Sequence, residues 1–375
     1  MNERSFLCRY MAEHPDWETG LERGYGLKIR RDGVYALFLY SYDSDFTDPL
    51  VQEARGIIID TERLEVVCWP FRKFGNYTES YADLIDWGTA EVQEKVDGSI
   101  MKLWYSERRG RWIFSTNGVI DAAKAMIESS PLGHTFLEAV QNTENYSDLR
   151  FETLDRHKTY LFELVGPEVR VIVHYERPFL YHIGTKDNRT GQESDEDIGV
   201  ARPARFPLTS LADCVAAAAR LNDRETEVRH EGFVVVDAAW HRVKIKNPDY
   251  LVRHKVFTLT LTRENCLDLI LNGGQNIVKL CGIRPRDAKV LKYYDWQLEE
   301  LFSRADQIAE LSRAMYEEYS HDRAAVAKSL GDHPLAFIGF EALDIPGQPG
   351  RQILRRKPLI KICRMIRAYP REELF

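Results

Sequence analysis

Lys95-Val96-Asp97-Gly98-Ser99 joins two short runs of strand-forming residues, Val92 to Val96 and Ser99 to Tyr105. A lysine beside Asp-Gly is common at exposed turns, so these five residues carry little weight alone. Their company supplies it. Ala54-Arg55-Gly56-Ile57 and Arg72-Lys73-Phe74-Gly75-Asn76 lie upstream. Phe162-Glu163-Leu164-Val165-Gly166, Glu231-Gly232-Phe233-Val234-Val235-Val236 and Val243-Lys244-Ile245-Lys246 follow, and each sets charged residues inside or at the edge of an apolar run.

A lysine acts as a nucleophile only as the neutral amine, which is scarce near pH 7 unless burial or neighbouring cations lower its pKa. Lys244 and Lys246 are spaced two apart on an expected strand and so share one face, while Val243 and Ile245 turn into a core. If that face lines the pocket holding Lys95, the pair would hold a phosphate and disfavour protonation of the nucleophile. A solvated strand face is the alternative for the same spacing. Glu163 lies within Leu161-Phe162-Glu163-Leu164-Val165, apolar enough to be buried, and therefore needs a donor such as a hydroxyl or an arginine. Glu231 opens a strand where it either binds a metal ion or simply ends the strand. Arg55 and Lys73 add cations at strand ends, suited to phosphates or a carboxylate partner.

Outward from these segments, residues from about 25 to 255 alternate β-rich runs with turns and a few helical inserts, the pattern of an α+β domain. Strands are expected at 34–42, 56–59, 64–69, 92–96, 99–105, 112–116, 160–165, 179–185, 232–237 and 242–245. Helices are expected at 121–128, 132–141 and 211–221, with Pro131 separating the first two. The polar stretch Lys186 to Asp197 is expected to be a surface turn. Beyond residue 252 the strand patterns end, and apolar residues recur at helical spacing in 265–280, 285–330 and 350–368. The expected division is thus 1–252, α+β, and 253–375, all-helical. Between Arg351 and Arg371 there are eight Lys or Arg and no acid. That segment fits a helix with one core face and one solvated face, or an RNA-backbone contact.

The chain of 375 residues, 44% of them hydrophobic, can bury a full core. Its net charge of -7 argues against indiscriminate coating of nucleic acid, so phosphate binding must come from local cationic clusters. Cysteines at 8, 68, 214, 266, 281 and 363 are dispersed, with no zinc-ligand spacing, and a reducing cytoplasmic setting is expected. No apolar run approaches the length of a membrane span.

The ordered motifs around Lys95, together with Asp332-His333-Pro334-Leu335-Ala336-Phe337-Ile338-Gly339-Phe340, resemble the T-even phage RNA ligase 1 family within the covalent nucleotidyltransferase superfamily. The resemblance implies a nucleotidyltransferase (ATP-grasp-like ligase) domain of antiparallel sheets with helices, followed by an all-helical domain bearing RNA or tRNA specificity. By motif, Lys95 corresponds to the lysine that receives AMP, Glu163 to a ribose contact, and Lys244 and Lys246 to the α-phosphate pair. Arg55, Lys73 and Tyr40 correspond to further nucleotide contacts, Ile183 and Val234 to the apolar residues around adenine, and Arg170 to a family arginine. Glu231 and Asn276 fall at metal-side positions. Two positions depart from the family: Asn117 stands where lysine is frequent, and Asn276 where an aspartate is expected.

The resemblance implies ATP and Mg2+ as cofactors, with Mn2+ as an alternative metal. Its implied substrate is RNA with 5′-phosphate and 3′-hydroxyl ends, a cleaved tRNA in particular, with a separate polynucleotide kinase-phosphatase preparing the ends. A capping-type guanylyltransferase and an RNA-binding relative without turnover remain alternatives, separated by labelling with ATP against GTP.

Overall fold

The computed structural model describes residues 5–41, 44–128, 130–221, 229–251, 254, 262–271 and 285–367. The chain divides into two compact units, Met1–Leu251 and Val252–Phe375. In the first, α1 (Phe6–Glu13) and α2 (Trp17–Gly24) precede β1 (Lys28–Asp32), β2 (Tyr35–Leu39), α3 (Pro49–Glu53), β3 (Arg55–Asp60) and β4 (Glu65–Cys68). Then come β5 (Glu91–Glu94), β6 (Ser99–Ser106), β7 (Arg111–Thr116), α4 (Phe136–Gln141), β8 (Lys158–Val165) and β9 (Phe179–Asp187). The unit closes with β10 (Glu193–Ser194), β11 (Arg205–Phe206), α5 (Leu211–Arg220), β12 (Gly232–Val236) and β13 (Arg242–Lys246). The strands form three sheets, ordered β1-β2-β3-β4, β10-β9-β8-β6-β7 and β11-β5-β12-β13.

Every described strand pairing is antiparallel, and the two-residue side-chain period assigns each face. In the first sheet Ala36, Phe38, Ile57 and Ile59 pack with Leu7 and Met11 of α1. The alternate residues Tyr35, Leu37 and Ile58 pack on Trp104 and Ile113 of the second sheet. Burial on both faces explains why β2 and β3 read as continuous apolar runs rather than alternating ones. On the other face of the second sheet, Met101, Leu103, Tyr160, Phe162 and Leu164 meet Val140 of α4. In the third sheet Phe233, Val235, Val243 and Ile245 pack against Cys214 and Ala218 of α5. The opposite faces of β8, β12 and β13 carry Leu161, Glu163, Val234, Lys244 and Lys246, the side chains that border the cleft described below.

Some local readings change. The helix expected over 121–128 is a single 3-10 turn, Ala122–Lys124, followed by a bridge from Met126 to Thr135. That expected over 132–141 begins only at Phe136, because Thr135 and Glu138 form a capping box that sets its start. The polar stretch after Lys186 is not a simple surface turn. Lys186 and Asn188 are buried, β9 runs through Asp187, and Asn188 accepts hydrogen bonds from Trp69 N and Thr159 Oγ1. A buried backbone donor needs a partner, and Asn188 supplies one that composition does not reveal.

The second unit is helical where described. It contains α6 (Arg263–Leu271), α7 (Pro285–Glu318), α8 (Arg323–Leu330), α9 (Ala336–Asp344), α10 (Gly350–Arg355) and α11 (Leu359–Met365). Leu298, Phe302, Ala305 and Ala309 of α7 share a core with Ile338, Leu354 and Ile362. Their recurrence at three- and four-residue intervals places one stripe of the long helix inward. Asp322 accepts from Ala324 N and Ala325 N and caps α8. Among the described helices, none is long and apolar enough to cross a membrane.

Candidate active site

The cleft forms between the second and third sheets of the first unit. Lys95 leaves β5, its backbone N–H donating to Gly232 O at 2.9 Å. Its Nζ donates to Glu231 Oε2 at 2.7 Å, while Lys246 Nζ lies 2.7 Å from Glu231 Oε1. One buried carboxylate thus joins the turn lysine to a strand lysine.

The turn itself is held by Asp97. Its Oδ2 accepts from Ile172 N and Val173 N at 2.8 and 2.7 Å, and its Oδ1 accepts from the Tyr250 hydroxyl at 2.7 Å. Gly98 N donates to Glu163 Oε1 at 3.0 Å. A Cβ at Gly98 would fall 2.2 Å from Leu164 O, which explains glycine at the fourth position of the motif. These contacts fix Lys95 from both sides.

The cleft, ≈ 200 Å³ in volume, is lined by Arg55, Lys95, Arg242, Lys244 and Lys246 against the carboxylates of Glu94 and Glu163. Its apolar wall joins Phe71, Phe74 and Leu161 with Ile183 and Val234. Ile183 reaches that wall through a β-bulge: Leu161 pairs with Gly184 and Phe162 with His182, leaving Ile183 as the extra residue. The segment carrying Phe71 and Phe74 is fixed beside β13 by Lys244 N donating to Gly75 O and Tyr77 N donating to Lys244 O, both at 3.0 Å.

The charge balance corrects one expectation. Burial alone would lower the pKa of Lys95, but Glu231, Glu163 and Asp97 outweigh it and hold the amine above its usual range. The expected cationic depression falls on Lys244 instead. Burial, then Arg55, Lys73, Lys95 and Lys246, push its pKa down to about 7. Burial also raises Glu163 to about 7, despite Lys95 nearby. Glu231 is buried yet kept below the usual carboxylate range, because Lys95 and Lys246 more than offset desolvation.

The other sequence-derived residues fall as follows. Arg55 stacks over Phe74 at 5.2 Å, and Lys73 Nζ lies 5.2 Å from the Tyr40 ring and 4.6 Å from Phe46. Lys73 and Tyr40 therefore flank Arg55 without lining the cleft wall. Arg170 is exposed, donating to Ile172 O, and is not part of the lining. Asn117 packs beside Gly56, next to Arg55, and its buried Oδ1 has no hydrogen-bond partner among the described residues. Asn276 lies outside the described residues.

Three participants escaped the sequence reading. Tyr250 binds Asp97 and sits under Lys246 Nζ, 5.0 Å from its ring centroid. Arg242 stacks on Phe71 at 4.0 Å and pairs with Glu193. Phe71 itself belongs to the apolar wall. The Arg242-Val243-Lys244-Ile245-Lys246 alternation contained a signal for Arg242, since it shares a face with the two lysines.

Among the described residues no three His, Cys, Asp or Glu side chains converge as a metal cluster. The donor set at Glu231 fits magnesium only in the manner common to nucleotide sites, with one carboxylate and the remaining ligands drawn from phosphate and water. The cations and the apolar wall fit a nucleotide.

The T4-type RNA ligase family matches residues 53–250, which contain the whole cleft. A protein of Autographa californica nuclear polyhedrosis virus named as a bifunctional polynucleotide kinase/RNA ligase is 28% identical over 291 residues, covering 72% of this chain and 40% of that protein. The RNA ligase of Rhodothermus phage RM378 is 26% identical over 334 residues, 71% of this chain and 75% of its own. A Thermovibrio ammonificans protein named as an RNA ligase is 26% identical over 304 residues, covering 76% and 77%. The chain thus spans less than half the length of the viral relative and about three quarters of the other two. It belongs to the T4-type RNA ligase family.

Proposed function

We propose that this chain is an ATP-dependent RNA ligase that seals a 3′-hydroxyl to a 5′-phosphate. The observation that carries the reading is Lys95 held with Lys246 on Glu231, at the wall of a cleft combining five cations with an apolar slot. ATP would place its base against Ile183 and Val234, its ribose near Glu163, and its phosphates among Arg55, Lys244 and Lys246. Lys73 and Tyr40 would brace Arg55.

Lys95 attacks the α-phosphorus as the neutral amine, after its ammonium has lost a proton to solvent. A P–N bond forms, the bond to pyrophosphate breaks, and the amine proton is released. An oxygen of the RNA 5′-phosphate next attacks the same phosphorus and displaces Lys95. The 3′-hydroxyl then attacks the activated 5′-phosphate, loses its proton and expels AMP. Lys244 and Lys246 are placed to stabilise charge on the phosphate oxygens, a preorganised electrostatic role. Magnesium, or manganese in its place, would be held by Glu231 and would neutralise phosphate charge when bound.

The helical unit would supply substrate preference, with a cleaved tRNA as the proposed RNA. A polynucleotide kinase-phosphatase would act beforehand to leave the required ends, a role suggested by the kinase named in the viral relative. Incubation with α-labelled ATP and magnesium should label wild type but not Lys95→Ala, and 5′-phosphorylated RNA should remove the label. Labelling by GTP in preference to ATP, or label that RNA does not chase, would overturn the reading.

A further inference from the structure

A second cavity, ≈ 430 Å³ and larger than the cleft at Lys95, lies elsewhere in the first unit. It is built where four separate connections meet at one end of the strands: Arg63 between β3 and β4, Arg108 between β6 and β7, Arg156 just before β8, and Arg189 after β9. Antiparallel pairing of β6 with β8 and of β8 with β9 brings three of these connections to the same edge. Lys95 precedes β6, whereas Tyr105 and Arg108 are at its far end. Six residue steps along the strand lead from Ser99 to Tyr105, a span of about 20 Å.

Not all of these cations are committed to carboxylates. Arg108 is held by Asp60, with Nε to Oδ2 at 2.5 Å and Nη2 to Oδ1 at 3.0 Å, and it also meets Glu62. Arg189 pairs with Asp187 at 3.0 Å. Arg63 meets Glu107 at 3.2 Å, but both side chains are at least half exposed, and an ion pair of that kind is readily exchanged for a phosphate. Arg156 differs from all three. Its guanidinium carbon lies 4.4 Å from the centroid of the Tyr105 ring, and no carboxylate pairs with it among the described residues.

We propose that this cavity is a second RNA-binding site, taking a single-stranded segment several nucleotides away from the end held near Lys95. The inference rests on the RNA ligase reading. A guanidinium already stacked on a tyrosine offers its other face to a nucleobase, the mode by which single strands are bound without regard to sequence. Arg63 and Arg156 would meet the backbone phosphates. Positioned at the opposite end of the strand from Lys95, the site would grip the RNA without touching the reacting phosphate and would favour long strands over short ones.

The test compares full-length wild type with Arg156→Ala and Arg156→Glu, each assayed for binding 5′-phosphorylated single strands. Arg156 is exposed, so these variants should fold. A trinucleotide should bind all three proteins equally. A long strand should bind Arg156→Ala roughly tenfold more weakly than wild type, in line with the loss of one stacked base. The slope of log affinity against log salt should fall by about 0.7 for one lost single-strand phosphate contact. Tyr105→Phe, which keeps the ring, should bind the long strand like wild type. Equal affinity of wild type and Arg156→Glu for the long strand would overturn the proposal, as would an equal loss for trinucleotide and long strand. Labelling of Lys95 by ATP should be unchanged in every variant. Failure of wild type to label would count against the ligase reading alone, leaving the length dependence of binding as a separate result.

Discussion

The Tyr250 hydroxyl donates to Asp97 Oδ1 at 2.7 Å, closing a contact between residues 153 positions apart in the chain. Through it, the end of the first unit holds the turn that presents Lys95. Among the described residues the aspartate has three donors, Ile172, Val173 and Tyr250, and a buried carboxylate that loses one is left partly unpaired. Tyr250→Phe keeps the ring under Lys246 but removes the donor. Stability should fall by roughly 1.5–3 kcal/mol, read by chemical denaturation, and the rate of ATP labelling at Lys95 should fall with it. Unchanged labelling would show that the turn does not depend on this bond.

Gly98 is required by space rather than by dihedral angle. Gly98→Ala would set its Cβ 2.2 Å from Leu164 O and 2.9 Å from Leu164 C, both backbone atoms of β8. The turn must therefore move away from Glu163, and ATP labelling should be lost while circular dichroism remains close to wild type. Gly24→Ala is the control, since beyond its chain neighbours and its own helix backbone no described atom lies within 4 Å of its Cβ position. It should label normally.

Lys244, with its pKa near 7, should give nucleotide binding a pH dependence. Burial, then Arg55, Lys73, Lys95 and Lys246, oppose its protonation, and Glu79 acts on it from the segment beside β13. A phosphate prefers the protonated amine, so affinity for a nonhydrolysable ATP analogue should weaken as pH rises from 6 to 9. Lys244→Met should bind more weakly at pH 6 and lose most of that pH dependence, as measured by calorimetry. A wild-type affinity that is flat over this range would refute the expectation.

Glu53 predicts a stability change of defined sign. Burial raises its carboxyl to about 7, even though Oε2 accepts from Leu7 N at 2.9 Å and Ser5 Oγ at 3.1 Å. Because the folded value lies above the unfolded one of 4.5, the folded state binds more protons between these values, and stability falls as pH rises through that window. Glu53→Gln can still accept both hydrogen bonds and carries no charge. Its melting temperature relative to wild type should therefore rise from pH 5 to pH 8, by the equivalent of roughly 2–4 kcal/mol at the upper end. A difference independent of pH would show that burial does not raise the folded carboxyl above its unfolded value.

Much of the first unit was legible because its strands are marked by apolar runs, continuous in β2 and β3 and alternating with charge in β13. The cores of β2, β3, β6, β8, β12 and β13 fall where hydrophobic pattern places strands. The short, polar elements were not. β10 and β11 are two residues each and exist through pairing with β9 and β5. The helices α1 and α2 are eight residues each, a length at which helical stability comes from packing rather than from local sequence. Lys102 shows the same limit: a lysine in the middle of β6 reads as a solvated position, yet it is fully buried and donates to Gly56 O.

What the chain order determined by itself was the set of strands and which charged residues share a face, since a strand's two-residue period is a local property. Lys244 with Lys246, and Glu163 opposite the core-facing Phe162 and Leu164, follow from that alone. Tertiary structure decided which faces meet, and with them the electrostatics. Glu231 lies between Lys95 and Lys246, so the acid raises the pKa of the turn lysine and leaves Lys244 as the depressed one. Electrostatic energy depends on through-space distance and burial, and neither can be counted along the chain.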